Sequence, residues 1–253
     1  MKNFNSIDEN TLNKVRAYCS SNKNEESCGF IYKNNSNILN IYKCQNIASD
    51  PKKFFLINDS DYEKCSFKGK IITCFHSHLN NKIFSSEDIN NSLQSEIPYL
   101  LYDIQNDEFN FFDSIKYSYY SKYINLPYIA GVNDCWSTIQ KFLNNETNFK
   151  ATEPDPSRLD KPDQILSWDW SDRKAWIESM NAIKVAPTPK NEDQLKTYDV
   201  LILKSKYEKI PTFGALLLED NLILHQNDHE ISRIEGLRKG HINLINYVGR
   251  FDP

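Results

Sequence analysis

The sequence predicts two units in tandem, a mixed α/β sheet flanked by helices and then an α+β unit. Three observations carry this. A helical run over residues 9–21 gives way to a β-prone stretch ending at Tyr32. The apolar, β-prone run Gly69–Phe75 leads into His76-Ser77-His78 and then into the helix signal Ser85-Ser86-Glu87-Asp88. Later, a helix starting near Cys135 is followed by strand-like text at Lys196–Leu203 and Pro211–His225.

The elements follow in order. Ser85 reads as the N-cap of a helix running from about Ser86 to Glu96, with Asp88 at its third position. Pro98–Gln105 and Glu108–Phe112 flank an Asn106-Asp107 turn, so a hairpin closes the first unit. Tyrosine- and serine-rich text from Tyr117 to Tyr123 marks the seam, which places the units at residues 1–117 and 118–253. In the second unit Asn133 or Asp134 caps a helix whose apolar positions Ile139, Phe142 and Leu143 keep helical spacing. Residues 150–194 form a polar, proline-bearing insertion. Ser171–Met180 fits an amphipathic helix there, and Trp168, Trp170 and Trp176 read as anchors packing the insertion down. No repeat and no low-complexity tract interrupts this plan.

Composition excludes several classes. The chain has 253 residues, 25% charged and 40% hydrophobic, as a soluble globular protein does. A net charge of −4, with no basic stripe, gives no general attraction to nucleic acid. Six scattered cysteines with no C-x-x-C pair read as reduced thiols of a protein made inside a cell. The opening Met1–Ser6 lacks the apolar core of a signal peptide, and no run reaches membrane-spanning length.

The chemistry concentrates in two places. Histidines at i and i+2 on a strand point to the same side, and an aspartate in the first turn of the next helix can close a three-ligand face around a divalent metal. His76, His78 and Asp88 have this spacing. Each motif alone has a structural reading: strand histidines are common, and Ser-x-x-Asp is a capping box. Their succession favours the metal. Zinc catalysis also needs a carboxylate to move protons, and Glu25-Glu26 precedes the strand at Cys28-Gly29. In the second unit Cys135 falls in the first turn of its helix, where unpaired amides and the helix dipole favour a thiolate. A buried core thiol is the structural alternative.

Glu26-Ser27-Cys28-Gly29, then His76-Ser77-His78, then Ser85-x-x-Asp88 resembles the motif set of the JAMM (MPN-type) zinc metalloproteases. The resemblance implies zinc held by His76, His78 and Asp88, a general base at Glu26 and an oxyanion-stabilising hydroxyl at Ser85. Glu25 is then a solvated neighbour. Two departures stand out: Leu79 follows the second histidine where the family has proline, and the loop to Ser85 is one residue shorter.

Pro127-Tyr128-x-x-Gly131-x-x-Asp134-Cys135 is similar to the active-site entry of NlpC-type papain-like cysteine peptidases, which act on cell-wall peptides. That resemblance implies a papain-like α+β unit with Cys135 as nucleophile. It matches Lys196–Leu203 to the family's Gly-Asp-Val-Leu strand and Pro211–His225 to its hairpin. Phe213 then stands where the catalytic histidine belongs and His225 where the orienting residue belongs. A phenyl ring accepts no proton, so the cysteine site reads as impaired unless His225 or His229 supplies a base.

The two units in this order, covering about residues 5–250, resemble the tail assembly protein K family of lambda-like phages. The resemblance implies a virion component at the tail tip, made in the host cytoplasm. Its expected partners are other tail-tip proteins and peptidoglycan peptides. The alternative is a purely structural tail-tip subunit with both sites degenerate.

Overall fold

In the computed structural model, which describes residues 7–79, 83–129, 132–149, 151, 183–186, 189–204, 211–227 and 230–251, Asp8 starts the first helix. Its carboxylate accepts the Thr11 amide at 2.8 Å, satisfying a donor the helix cannot use itself. The chain divides into two units, Met1–Ser121 and Lys122–Pro253.

The first unit contains α1 (Glu9–Ser21), β1 (Cys28–Lys33), β2 (Leu39–Cys44), α2 (Asp59–Ser66), β3 (Lys70–His78), α3 (Ser86–Ser95), β4 (Tyr99–Asp103) and β5 (Glu108–Phe112). The strands form one sheet in the order β2-β1-β3-β4-β5. Only β3 and β4 run parallel, and α3 lies in the crossover that such a pair requires. The expected hairpin is β4–β5, with Asp107 at φ 54° in its turn.

Alternation along β3 decides what each face carries. Phe75 packs into a core with Val15 and Cys19 of α1, together with Ile31, Leu100 and Tyr102. His76 and His78 therefore point to the opposite face. Gly29 permits the arrangement, because a Cβ there would lie 2.2 Å from the Tyr42 carbonyl oxygen and 2.6 Å from Phe75 Cζ. The Phe75 ring lies against β1 in the space a side chain would need.

The second unit contains α4 (Cys135–Glu146), β6 (Ile183–Ala186), β7 (Val200–Lys204), β8 (Pro211–Leu217), β9 (Leu222–His225), β10 (Arg233–Gly236), α5 (Lys239–Leu244) and β11 (Ile245–Phe251). Its sheet has the order β10-β9-β8-β7-β11-β6 and is antiparallel throughout. Helix α4 covers the face of Gly214, whose missing Cβ would meet Ile139 Cδ1 and Trp136 Cζ2 at 3.4 Å. The opposite face carries Leu201, Leu203, Ala215, Leu217, Ile223, Ile245 and Val248, with Phe213 and Leu244 packed on them.

Two sheets with accompanying helices give the mixed α and β content expected of the chain. One strand is shorter than expected. The run Lys196–Leu203 enters β7 only at Val200, because Tyr198 adopts φ 70° and the Asp199 amide returns to the Lys196 carbonyl at 2.9 Å. That is a turn, not a strand. The expected helix at 171–180, the tryptophans Trp168, Trp170 and Trp176, and His229 lie outside the described residues. Among the described residues no helix is long and apolar enough to cross a membrane.

Candidate metal centre

Two local rules bring the three candidate ligands together. The pleat of β3 sends His76 and His78 to one side. The N-terminus of α3 supplies Asp88 through a capping box: the Asp88 amide donates to Ser85 Oγ at 3.0 Å, and the Ser85 amide donates to Asp88 Oδ2 at 2.8 Å. This lock aims the carboxylate. Asp88 Oδ1 lies 3.4 Å from His76 Nε2, and Oδ2 lies 3.4 Å from His78 Nε2. One donor atom from each of the three side chains falls within 4.8 Å of the others, and all three residues are buried.

The electrostatics suit a cation. Burial opposes ionisation of Asp88, yet the adjacent imidazoles hold its carboxyl well below the usual carboxylate range. Burial also holds His76 below its ordinary value, against the pull of Asp88. A neutral imidazole and an ionised carboxylate are the forms that bind metal. Both ring nitrogens of His76 are buried without a hydrogen bond, Nε2 having only the 3.4 Å ionic contact with Asp88. Buried polar atoms are rarely left so in a protein. Two nitrogens, one oxygen and an orphaned imidazole fit a divalent cation.

Glu26 joins the group from the segment before β1. It is 5% exposed, and its Oε1 lies 3.8 Å from His78 Nε2. Burial raises its carboxyl to about 7, with His78 opposing and Asp88 reinforcing the shift. Glu25 is half-buried and accepts a hydrogen bond from Asn22 Nδ2 at 2.7 Å, away from the cluster's contacts. Ser85 uses its oxygen as the cap of α3, and its hydroxyl hydrogen is not consumed by that bond.

Sequence reading missed two neighbours. Phe55 stacks on His76 with ring centroids 4.5 Å apart and planes at 23°. Asn46, buried, is bonded through both side-chain atoms to backbone of the loop between β2 and α2, and through Nδ2 also to the Glu26 carbonyl. The one signal in the sequence is that loop's length, which exceeds an ordinary connection.

The second candidate site is arranged differently. Asp134 caps α4, its Oδ1 accepting from the Trp136 amide at 3.1 Å and the Ser137 amide at 2.8 Å. Cys135 is thus the first helical residue, partly exposed. His225 does not join it. Ala215 pairs in register with both His225 and Leu201, so His225 projects to the face of the apolar cluster and away from α4. Phe213 lies on that same face, its ring 5.9 Å from the imidazole. Neither residue of the expected pair faces the cysteine helix. The residue beyond β9 that reaches α4 is Gln226, whose Oε1 accepts the Thr138 hydroxyl at 3.4 Å. His225 instead bonds Glu235 Oε1 through Nε2 at 2.6 Å. Glu235 was illegible beforehand because only the β9–β10 register brings it there.

The first unit thus defines an α/β protein with a buried His–His–Asp group that could hold a metal ion, beside a buried carboxylate. No family model matches the chain. The chain is similar to tail tip assembly protein K of Escherichia phage N15, with 21% identity over 218 residues, an alignment spanning 86% of this chain and 84% of that protein. The resemblance to the K family drawn from the motifs is met by this relative.

Proposed function

We propose that this chain is a component of the tail tip of a long-tailed phage and that its first unit is a zinc peptidase of the JAMM type. One observation carries the chemistry: the buried convergence of His76, His78 and Asp88 with Glu26 at their edge. Similarity over most of both chains to a protein named for tail tip assembly supports the location. It also supports other tail-tip proteins as partners and the virion as destination.

His76, His78 and Asp88 would hold the ion, a nitrogen and oxygen donor set of the kind that suits zinc. Bound zinc supplies Lewis acidity, polarising a carbonyl and making water easier to deprotonate. Glu26 takes the proton of the attacking water and delivers it to the leaving amine. Ser85 donates its spare hydroxyl hydrogen to the carbonyl oxygen as that atom gains charge. Burial of His76, His78, Asp88 and Glu26 keeps bulk water from competing with these contacts.

The second unit reads as a papain-like domain that serves architecture. His225 lies on the far face of its sheet, so Cys135 has no imidazole from that strand to act as base. A wall-directed role would belong to the metal centre and its peptide substrates.

The test compares the parent with Glu26→Gln on a peptide mixture that includes muropeptides, reading products by mass spectrometry. The variant should keep its zinc and lose cleavage about 10²–10⁴-fold, the usual worth of general acid–base catalysis. Equal cleavage by both proteins removes Glu26 from the mechanism. A zinc-loaded parent that cuts nothing in the mixture favours the purely structural tail-tip subunit.

A further inference from the structure

Residues 45–58, between β2 and α2, close into a loop around one side chain. Asn46 Nδ2 donates to the carbonyls of Glu26 and Phe54, each at 2.9 Å, and more weakly to Pro51 at 3.4 Å. Its Oδ1 accepts the amides of Ala48 at 3.0 Å and Leu56 at 3.1 Å. The Ile47 amide donates to the Leu56 carbonyl at 3.0 Å, which draws the loop ends together. One amide side chain thereby replaces the backbone ladder that the loop lacks.

Two parts of the metal centre depend on this clasp. Glu26 is gripped on both backbone polar groups: its amide donates to the Pro51 carbonyl at 2.7 Å, and its carbonyl accepts from Asn46. Phe55, next to the clasped Phe54, lies flat on His76. A ligating histidine ordinarily has its ring orientation set by a hydrogen bond to its second nitrogen. His76 has no such bond at Nδ1. Its ring is instead surrounded by Phe55, Tyr99 at 5.8 Å and Phe84 at 6.0 Å between centroids.

We propose that Asn46 is a positioning residue of the metal centre, acting through Phe55 to fix the plane of His76 and through the backbone to fix Glu26. The inference rests on reading His76, His78 and Asp88 as ligands. An aromatic stack here does what a polar partner does elsewhere, and the loop that supplies it is held by one asparagine.

Cobalt(II) titration of the full-length zinc-free protein tests this, with the visible ligand-field bands and the affinity as readouts. Asn46→Asp keeps the acceptor and loses the donors. Phe55→Leu removes the stack, and Phe55→Tyr restores it. Asn46→Asp and Phe55→Leu should each weaken cobalt binding about 10–100-fold, as loss of an outer partner does, and should shift the bands. Phe55→Tyr should return both readouts to those of the parent. A purely structural role would lower the melting temperature and leave band positions where they were. Parent-like affinity and bands in Phe55→Leu overturn the proposal, even if Asn46→Asp fails to fold. A parent that takes up no cobalt, like a His78→Ala control, overturns the ligand reading and the proposal with it.

Discussion

His78 Nε2 stands 3.8 Å from Glu26 Oε1, so a ligand candidate on β3 and a carboxylate from the segment before β1 share one buried wall. The pairing of β1 with β3 produces it, since Cys28 lies opposite His76 in the register and Glu26 precedes Cys28 by two residues. Glu26 owes its place to a strand register and a loop clasp, whereas Asp88 owes its place to a helix cap.

Ser85→Ala separates capping from chemistry. The variant loses the acceptor for the Asp88 amide, and loss of such a cap costs about 0.5–2 kcal/mol in urea unfolding. The backbone amide at position 85 still donates to Asp88 Oδ2, so zinc content should hold while turnover falls. Loss of the metal would mean that the side chain, not the backbone, aims Asp88.

Glu235→Gln should change how stability depends on pH. Burial works to raise the Glu235 carboxyl, and the short bond to His225 together with the attraction of His225, His241 and Arg238 outweighs it, leaving the group below its usual value of 4.5. A depressed carboxyl contributes stability that is present above its ordinary value and lost as pH falls through the folded value. Urea midpoints for the parent should therefore fall with acidification below about pH 4.5, and the variant should show a shallower fall from a lower plateau. Identical pH profiles would show that the pair contributes nothing to the fold.

Cys135→Ala should leave any muropeptide cleavage unchanged, because the imidazole of β9 faces the other side of the sheet from α4. Melting should change little, as the thiol is partly exposed at the start of the helix. A clear loss of cleavage would mean that a base reaches Cys135 from residues other than His225.

What could be read beforehand divides along physical lines. The His76, His78 and Asp88 convergence follows from a two-residue strand period and a capping box, both local. Helix α1, the β4–β5 hairpin and the Asp134 cap rest on similarly local signals. The face of His225 was not legible, because the register of the hairpin decides it and a slip of one residue reverses every side chain. Gly214, packed under Ile139 and Trp136, fixes that register only once α4 is in place. Asn46 gave no signal beyond the length of its loop, since its partners at Glu26 and Leu56 lie in segments that only folding brings together.

Metal analysis of purified full-length protein, dialysed at neutral pH and measured by mass spectrometry of the elements, tests the centre most directly. About one zinc per chain is expected in the parent and almost none in His78→Ala, because losing one of three ligands cuts affinity severely. A parent free of zinc and unable to bind it when supplied contradicts the metal centre.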